Sequence, residues 1–426
     1  MLARSMRRLP VTTVYLIYVG ASGFLTRTAL TVFSVFLIVD LELNPFQLLL
    51  LGTILEVSYL VFEVPTGVVA DTVSRRLSIL VGLVGVGASF LLLGNATSFG
   101  MAAVSQVVLG VFATFESGAD TAWLTDEIGE ERAHGYYLKG EQVFQAASLV
   151  GIVASVGLAA FFDLRVPILM AAAGILALAV LMWAIMREEN FHPREREEGE
   201  RLHTGLVRTF KGGISEVRRH RILLLILAVG ALHGMSTEGF DRLADLHFLR
   251  DIGLPDLEEL SYVVWFGVLD AVGLVIGIVA LQFVKHRVRL EGHARVARVL
   301  ASIDLGLVAA VVVFAFTGGF WLAAVAFWAV DGLRNVREPI FRAWVNQGLE
   351  SATRATVNSM ATQSDSIGQA VGGPILGLAA TRISVPWAIA LSGLLRLPAL
   401  ALYARAIRRG SVGTVVPADE PLSLEE

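Results

Sequence analysis

The chain has 426 residues, 55% of them hydrophobic and only 17% charged, well below the roughly 25% charged of a soluble globular domain. A formal net charge of −4 leaves no basic surplus for nucleic acid, and the absence of cysteine excludes disulfides, thiol catalysis and Cys-ligated metal. Mean hydropathy is +0.67, and apolar runs of about 20 residues, the length that crosses a bilayer core, recur along the chain, which therefore reads as an all-α polytopic membrane protein.

Twelve transmembrane helices are predicted. The first, 11–37, is too long for a signal-peptide core and has no small-residue cleavage pattern, so it is expected to be retained; it carries Arg27. The second, 46–70, carries Glu56 and Glu63, seven residues apart and so on one face, with Pro65 near its end. A knot of charge follows, GVVADTVSRR from Gly67 to Arg76, and leads into the third, 76–94. The fourth, 99–125, holds Glu116 and Asp120 one turn apart; the fifth and sixth run 137–162 and 165–186. A long polar stretch, 187–219, then divides the chain. Within it Leu202, Leu206, Val207, Phe210, Ile214 and Val217 recur at helical spacing, which fits either a helix lying on the membrane face or a solvated linker helix.

The seventh span, 220–247, carries Glu238, Asp241 and Arg242; the eighth, 260–284, Asp270; the ninth, 293–317, Asp304. The tenth, 320–347, is the most charged, with Asp331, Arg334, Arg337, Glu338 and Arg342. The eleventh, 354–380, contains Asp365 and GQAVGGPILG, where Gly368/Gly372 and Gly373/Gly377 have the spacing of close helix packing. The twelfth, 384–406, contains Arg396, and 409–426 is a short acidic tail expected to be disordered. Spans thus fall into two six-helix bundles, 1–186 and 220–408. A shift of 221 residues aligns Ala122-Trp123 with Ala343-Trp344 and Val150-Gly151 with Val371-Gly372, so the bundles are expected to be pseudo-symmetric.

Arginine and lysine crowd the loops on one side: Arg4, Arg7 and Arg8, then Arg75 and Arg76, Arg132 and Lys139, 187–221, Lys285 to Arg295, Arg354, and Arg405 to Arg409. The opposite loops are neutral or acidic, so both termini are expected on the cytoplasmic side of a cytoplasmic membrane.

Two six-span halves, a basic central loop and a charged turn between spans two and three resemble the major facilitator superfamily. The turn carries the most specific part: Gly67, Asp71, Arg75 and Arg76 match the family's pattern, while Thr72 stands where a basic residue is usual and Ser74 where glycine is. The resemblance implies that this turn latches the halves on the cytoplasmic side, Asp71 acting on the start of span eleven and the arginines on Asp120, Asp126 or Glu127. It also implies a central cavity lined by spans one, four, seven and ten. An intramembrane charge is costly and faces a cavity or a partner. The candidates for substrate or proton contact are Arg27, Glu56, Glu116, Asp120, Glu238, Asp241, Asp331, Arg334 and Arg337. Under the 221-residue shift Glu116 falls opposite Arg337, which suggests an inner-gate ion pair; the alternative is that Arg337 is held inside the C-terminal half by a neighbour such as Glu338 or by backbone. Gln106 stands where drug antiporters of this architecture carry a basic residue before Gly110, and span five lacks their Gly-Pro motif.

The expected function is secondary active transport of a small organic compound by alternating access, coupled to protons and directed outward, by a monomer in the lipid bilayer. Proton-coupled nutrient uptake is the alternative, and a non-transporting membrane sensor a third reading that the short tail disfavours. No cofactor, metal or nucleic acid is expected. The chain has no Walker A, H-E-x-x-H or G-x-S-x-G pattern, and His233 and His247 read as structural, so enzymatic chemistry is not expected.

Overall fold

The computed structural model describes residues 9–193, 221–255, 262–287, 292–346 and 351–410. The helix expected within 202–217, the basic residues Arg4, Arg7, Arg8 and Arg289, and the tail from 411 lie outside the described residues. Among those described there are helices and turns but no strand.

The first group of helices is α1 (Val11–Val39), α2 (Pro45–Thr72), α3 (Arg75–Gly94), α4 (Phe99–Glu116), α5 (Ala119–Ile128), α6 (Glu130–Phe161) and α7 (Arg165–Ile185). The second is α8 (Arg221–His247), α9 (Tyr262–Arg287), α10 (His293–Phe316), α11 (Phe320–Asn346), α12 (Ser351–Arg382), α13 (Val385–Leu394) and α14 (Leu397–Gly410). Local chemistry sets many of the ends. Asn44 and Gln47 form a reciprocal capping box at the start of α2, with Pro45 at a position where its missing N–H costs nothing. Ser74, Ser98 and Ser384 each accept a hydrogen bond from a first-turn N–H of α3, α4 and α13.

Two predicted spans are corrected, and the seventh, found over Arg221–His247, is extended. The fourth is not continuous: Gly118, at φ 73°, breaks it into α4 and α5, because only glycine takes that left-handed turn without a Cβ clash. The twelfth breaks between α13 and α14 at Leu395 and Arg396, and the seventh ends in a π-turn, Phe248–Ile252. Pro65, by contrast, lies within an unbroken α2. The Thr66 hydroxyl donates to the Phe62 carbonyl one turn back and also approaches that of Thr114 on α4, so α2 and α4 are tied there.

Nine helical stretches among the described residues are long and apolar enough to cross a membrane. The others, α8, α11 and α12, have 27, 27 and 32 residues, a length of about 40 Å or more at 1.5 Å per residue. Their apolarity is diluted by charges, and those charges supply much of the site below.

Within the first group α1 packs on α6 and α7, α3 on α4 and α7, and α2 on α4; within the second α8 packs on α12 and α13, α10 on α11, α13 and α14, and α9 on α11. The groups meet through α2 with α12 and α8, and through α6 with α9. The two glycine pairs of α12 split this work. A Cβ at Gly368 or Gly372 would run into backbone of α8 at Ala231 and Met235, whereas one at Gly373 or Gly377 would strike Thr53 and Phe46 on α2. On α6 and α9, Gly267 accepts Val156 in the same way. These seams gather toward the face that carries Asn44 and Trp387, here termed the seam face. The face that carries Arg75, Arg76 and Glu188 is termed the basic face. Along α2 burial falls from one to the other: Leu48, Leu49 and Leu51 are buried, Val61, Phe62 and Val64 exposed, and nothing lies within 4 Å of a Cβ placed on Gly67.

Candidate functional site

A polar cavity lies between the two helix groups and has a volume of about 480 Å³, within the roughly 300–1,000 Å³ of small-molecule sites. α1 contributes Arg27, Thr31 and Ser34; α6 contributes Phe144 and Ser148; α8 contributes Phe240, Asp241 and Asp245; α9 contributes Phe266 and Asp270; α11 contributes Phe327, Asp331 and Asn335. Acids are supplied by the second group alone, and the one lining cation, Arg27, comes from the first.

Two of the four acids are paired. Arg27 Nη2 lies 3.1 Å from Asp270 Oδ2, an ion pair that joins the two groups across the cavity. Arg334 pairs with Asp241 and lies over the Phe240 ring, 5.1 Å from its centroid. No ion pair holds Asp245 or Asp331 among the described residues. Phe240 stacks on Phe327 at 5.5 Å, and Phe314 and Phe248 pack behind them, so the seam-face end of the cavity is an aromatic cluster.

The remaining expected cavity residues lie elsewhere. Glu116 accepts a hydrogen bond from the Tyr18 hydroxyl at 2.7 Å inside the first helix group, with Asp120 beyond the Gly118 break. Glu238 is 1% exposed, 3.6 Å from Arg242, and this pair rests on Gly52 of α2. Glu56 shares that α2 face and is outside the cavity lining. Arg337 requires a correction. It is 1% exposed and its Nε donates to Asp304 Oδ1 at 2.8 Å, away from the cavity. Arg396 Nη1 reaches the same oxygen at 3.1 Å and the Tyr403 hydroxyl donates to Oδ2 at 2.7 Å. Two arginines thus share one aspartate among α10, α11 and α14, because a lone cation in that interior would carry an unmet desolvation cost.

At the basic face the charged turn is a compact network. Arg75 Nε donates to Asp126 Oδ2 at 2.6 Å, and its Nη1 lies 3.1 Å from Asp71, one turn back. Arg76 donates to the Trp183 and Met186 carbonyls at 2.6 and 2.8 Å, and so caps the C-terminus of α7 rather than meeting Asp120 or Glu127. Glu127 instead accepts from the backbone of Glu189 and Asn190. The side chains that begin α12, the expected partners of Asp71, lie outside the described residues.

Two residues of these sites were not expected from sequence. Glu188 takes the backbone N–H of Arg75 and Arg76 at 2.7 and 3.0 Å and the Ser74 hydroxyl, which places a carboxylate on the positive end of α3. Asp245 lines the cavity; its spacing of four from Asp241, which puts both on one helix face, was the available signal.

Comparison with known proteins gives a consistent picture. The sequence profile described as Major Facilitator Superfamily matches residues 16–333. A Bacillus subtilis (strain 168) protein named as an uncharacterized MFS-type transporter, YxaM, is 22% identical over 335 residues, 78% of this chain and 80% of that protein. Among solved structures, a bacterial homologue of the human lysosomal transporter Spinster, in an inward-facing and unoccupied conformation, superposes with a TM-score of 0.72 at 16% identity, over 95% of this chain and 98% of that one. The nucleoside transporter NupG gives 0.71 at 13%, covering 94% and 99%. The peptide transporter POT in complex with sulfate gives 0.70 at 13%, covering 93% and 95%.

Proposed function

Because the chain belongs to the major facilitator superfamily, we propose that it moves a small organic compound across the cytoplasmic membrane by alternating access, coupled to protons and in the outward direction. Each of the pairs α4 with α5 and α13 with α14 then makes one crossing, so the helices give twelve spans in two six-helix bundles. The seams support a twofold relation between the bundles. A six-span shift exchanges span two with eight and five with eleven, and the contacts run between spans two and eleven and between five and eight. Arg75, Arg76, Arg132 and Arg187 support a cytoplasmic position for the basic face.

The observation that carries the reading is the cavity between the bundles, closed toward the seam face by glycine-seated helix contacts, while α2 loses its cover toward the basic face. This is the geometry of a carrier open to the cytoplasm, and the Spinster homologue supports it by likeness of fold. A carrier that rocks about such a site moves its substrate without hydrolysing anything.

The test is a compound panel in proteoliposomes, with uptake and efflux measured under imposed proton gradients of either sign. Efflux-direction flux of a panel member that collapses when the gradient is dissipated is the expected result. Flux indifferent to the gradient removes proton coupling, gradient-driven uptake reverses the direction, and no protein-dependent flux or counterflow for any member refutes transport.

A further inference from the structure

We infer that the cavity binds an organic cation, its charged head held by Asp245 and Asp331 and its apolar body laid against Phe240 and Phe327. The inference deepens the transporter reading and rests on it for the cavity's role, but not for the chemistry of binding.

The charge balance of the lining comes first. Asp270 is answered by Arg27 and Asp241 by Arg334, whereas Asp245 and Asp331 face the same space with no ion-pair partner among the described residues. Two unanswered carboxylates in a confined cavity repel each other and attract any cation that enters. Beside them, the Thr31 side chain is 6% exposed, lines the cavity, and its hydroxyl has no hydrogen-bond partner of good geometry.

The second feature is the wall. Phe240 and Phe327 stack at 5.5 Å, and Arg334 already lies over Phe240 as a cation on a ring. Aromatic faces beside acids favour a cation with an apolar body over a hydrated metal ion, because such a cation loses little hydration on entry and gains from the rings. Arg27 favours an anion only weakly, since Asp270 neutralises it. An anionic substrate would have to approach Asp245 and Asp331 unscreened.

The experiment uses the full chain in lipid nanodiscs and two ions of the same shape and opposite charge, tetraphenylphosphonium and tetraphenylborate, each with protein-free nanodiscs as the blank. Saturable phosphonium binding is expected, with borate at least about tenfold weaker, and Asp331→Asn or Asp245→Asn is expected to weaken the phosphonium by about tenfold each. Asp245→Glu retains the charge and is expected to retain most of the affinity, and thermal unfolding of each variant separates lost binding from lost fold. Equal binding of the two ions, no saturable phosphonium binding, or undiminished binding in a folded Asp245→Asn/Asp331→Asn variant overturns the inference. Charge-selective binding with no flux of any panel compound would uphold the cation site and refute the transporter reading. Flux of panel compounds without charge selectivity would do the reverse.

Discussion

The Arg27–Asp270 ion pair joins the two helix groups through the cavity, so its removal is expected to loosen the seam-face closure. The nitrogen–oxygen distance is 3.1 Å and the side chains are 32% and 27% exposed. At a charge separation of about 4 Å and an effective dielectric near 20 the attraction is about 4 kcal/mol before desolvation. Partial exposure screens it and both ions lose hydration, which leaves about 1–2 kcal/mol. Arg27→Gln should therefore move a two-state carrier by roughly 5- to 30-fold away from the form described here. The native chain has no cysteine, so a Thr53→Cys reporter, placed under Gly373 in the seam, reads the change directly. A membrane-impermeant maleimide added from the outside should label it faster by that factor in the Arg27→Gln background. Asp270→Asn should do the same, and the double variant should fall well short of the product of the two. A labelling rate unchanged by Arg27→Gln, or effects that simply multiply, would refute the coupling.

Gly373→Leu should wedge the α2–α12 seam against Thr53 and raise labelling of reporters on the seam face, without lowering thermal stability as Gly368→Leu should, because Gly368 packs inside its own helix group. Asp304→Asn should cost about 3–5 kcal/mol, read as a large fall in unfolding temperature in detergent, since it leaves Arg337 and Arg396 buried without a counter-ion. Glu188→Gln should cost about 1–3 kcal/mol of local stability at the basic face, seen as faster hydrogen exchange in the first turn of α3; protection equal to the native chain would remove its capping role. The charge swap Glu116→Arg with Arg337→Glu is expected to transport no better than the worse single variant, and recovery of flux would show that the two residues do meet.

Helical spans were legible because apolar runs of bilayer length announce themselves. The break at Gly118 was in principle legible too, as Ser-Gly amid an apolar run, but hydropathy averages over single residues. Charges near the functional site were visible as anomalies; their roles were not. Whether an intramembrane acid faces a cavity or a partner depends on the rotation of its helix, and that rotation is decided by packing against helices far away in the chain. Asp331 and Arg337 are six residues apart on α11, yet one lines the cavity and the other lies in the interior with Asp304, 33 residues earlier. Glu188 illustrates the same limit: nothing local says that a carboxylate after α7 will cap α3, more than 110 residues away. Around the charged turn the resemblance offered Asp120, Asp126 or Glu127 to both arginines; Arg75 meets Asp126, whereas Arg76 meets none of the three.

Residues at matching positions need not do matching work. Trp123 and Trp344, related by the 221-residue shift, are both fully buried, which is what a shared ancestral packing position predicts. Glu116 and Arg337 are related by the same shift and differ. Glu116 bonds Tyr18 of α1 and keeps one oxygen without a partner, whereas Arg337 is enclosed by Asp304, Tyr403 and the Phe341 ring. For these two to form a gate in another state, Arg337 would first have to leave Asp304. Breaking a buried pair of that kind costs about 3–5 kcal/mol, and the new pair returns at most about 4 kcal/mol before its own desolvation. Once the desolvation of Glu116 and Arg337 in the new pair is subtracted, the exchange is unfavourable. Arg337 is better understood as the charge that fixes α11 against α10 and α14, so that the Asp331 side of the same helix is presented to the cavity at a constant angle whichever way the carrier faces.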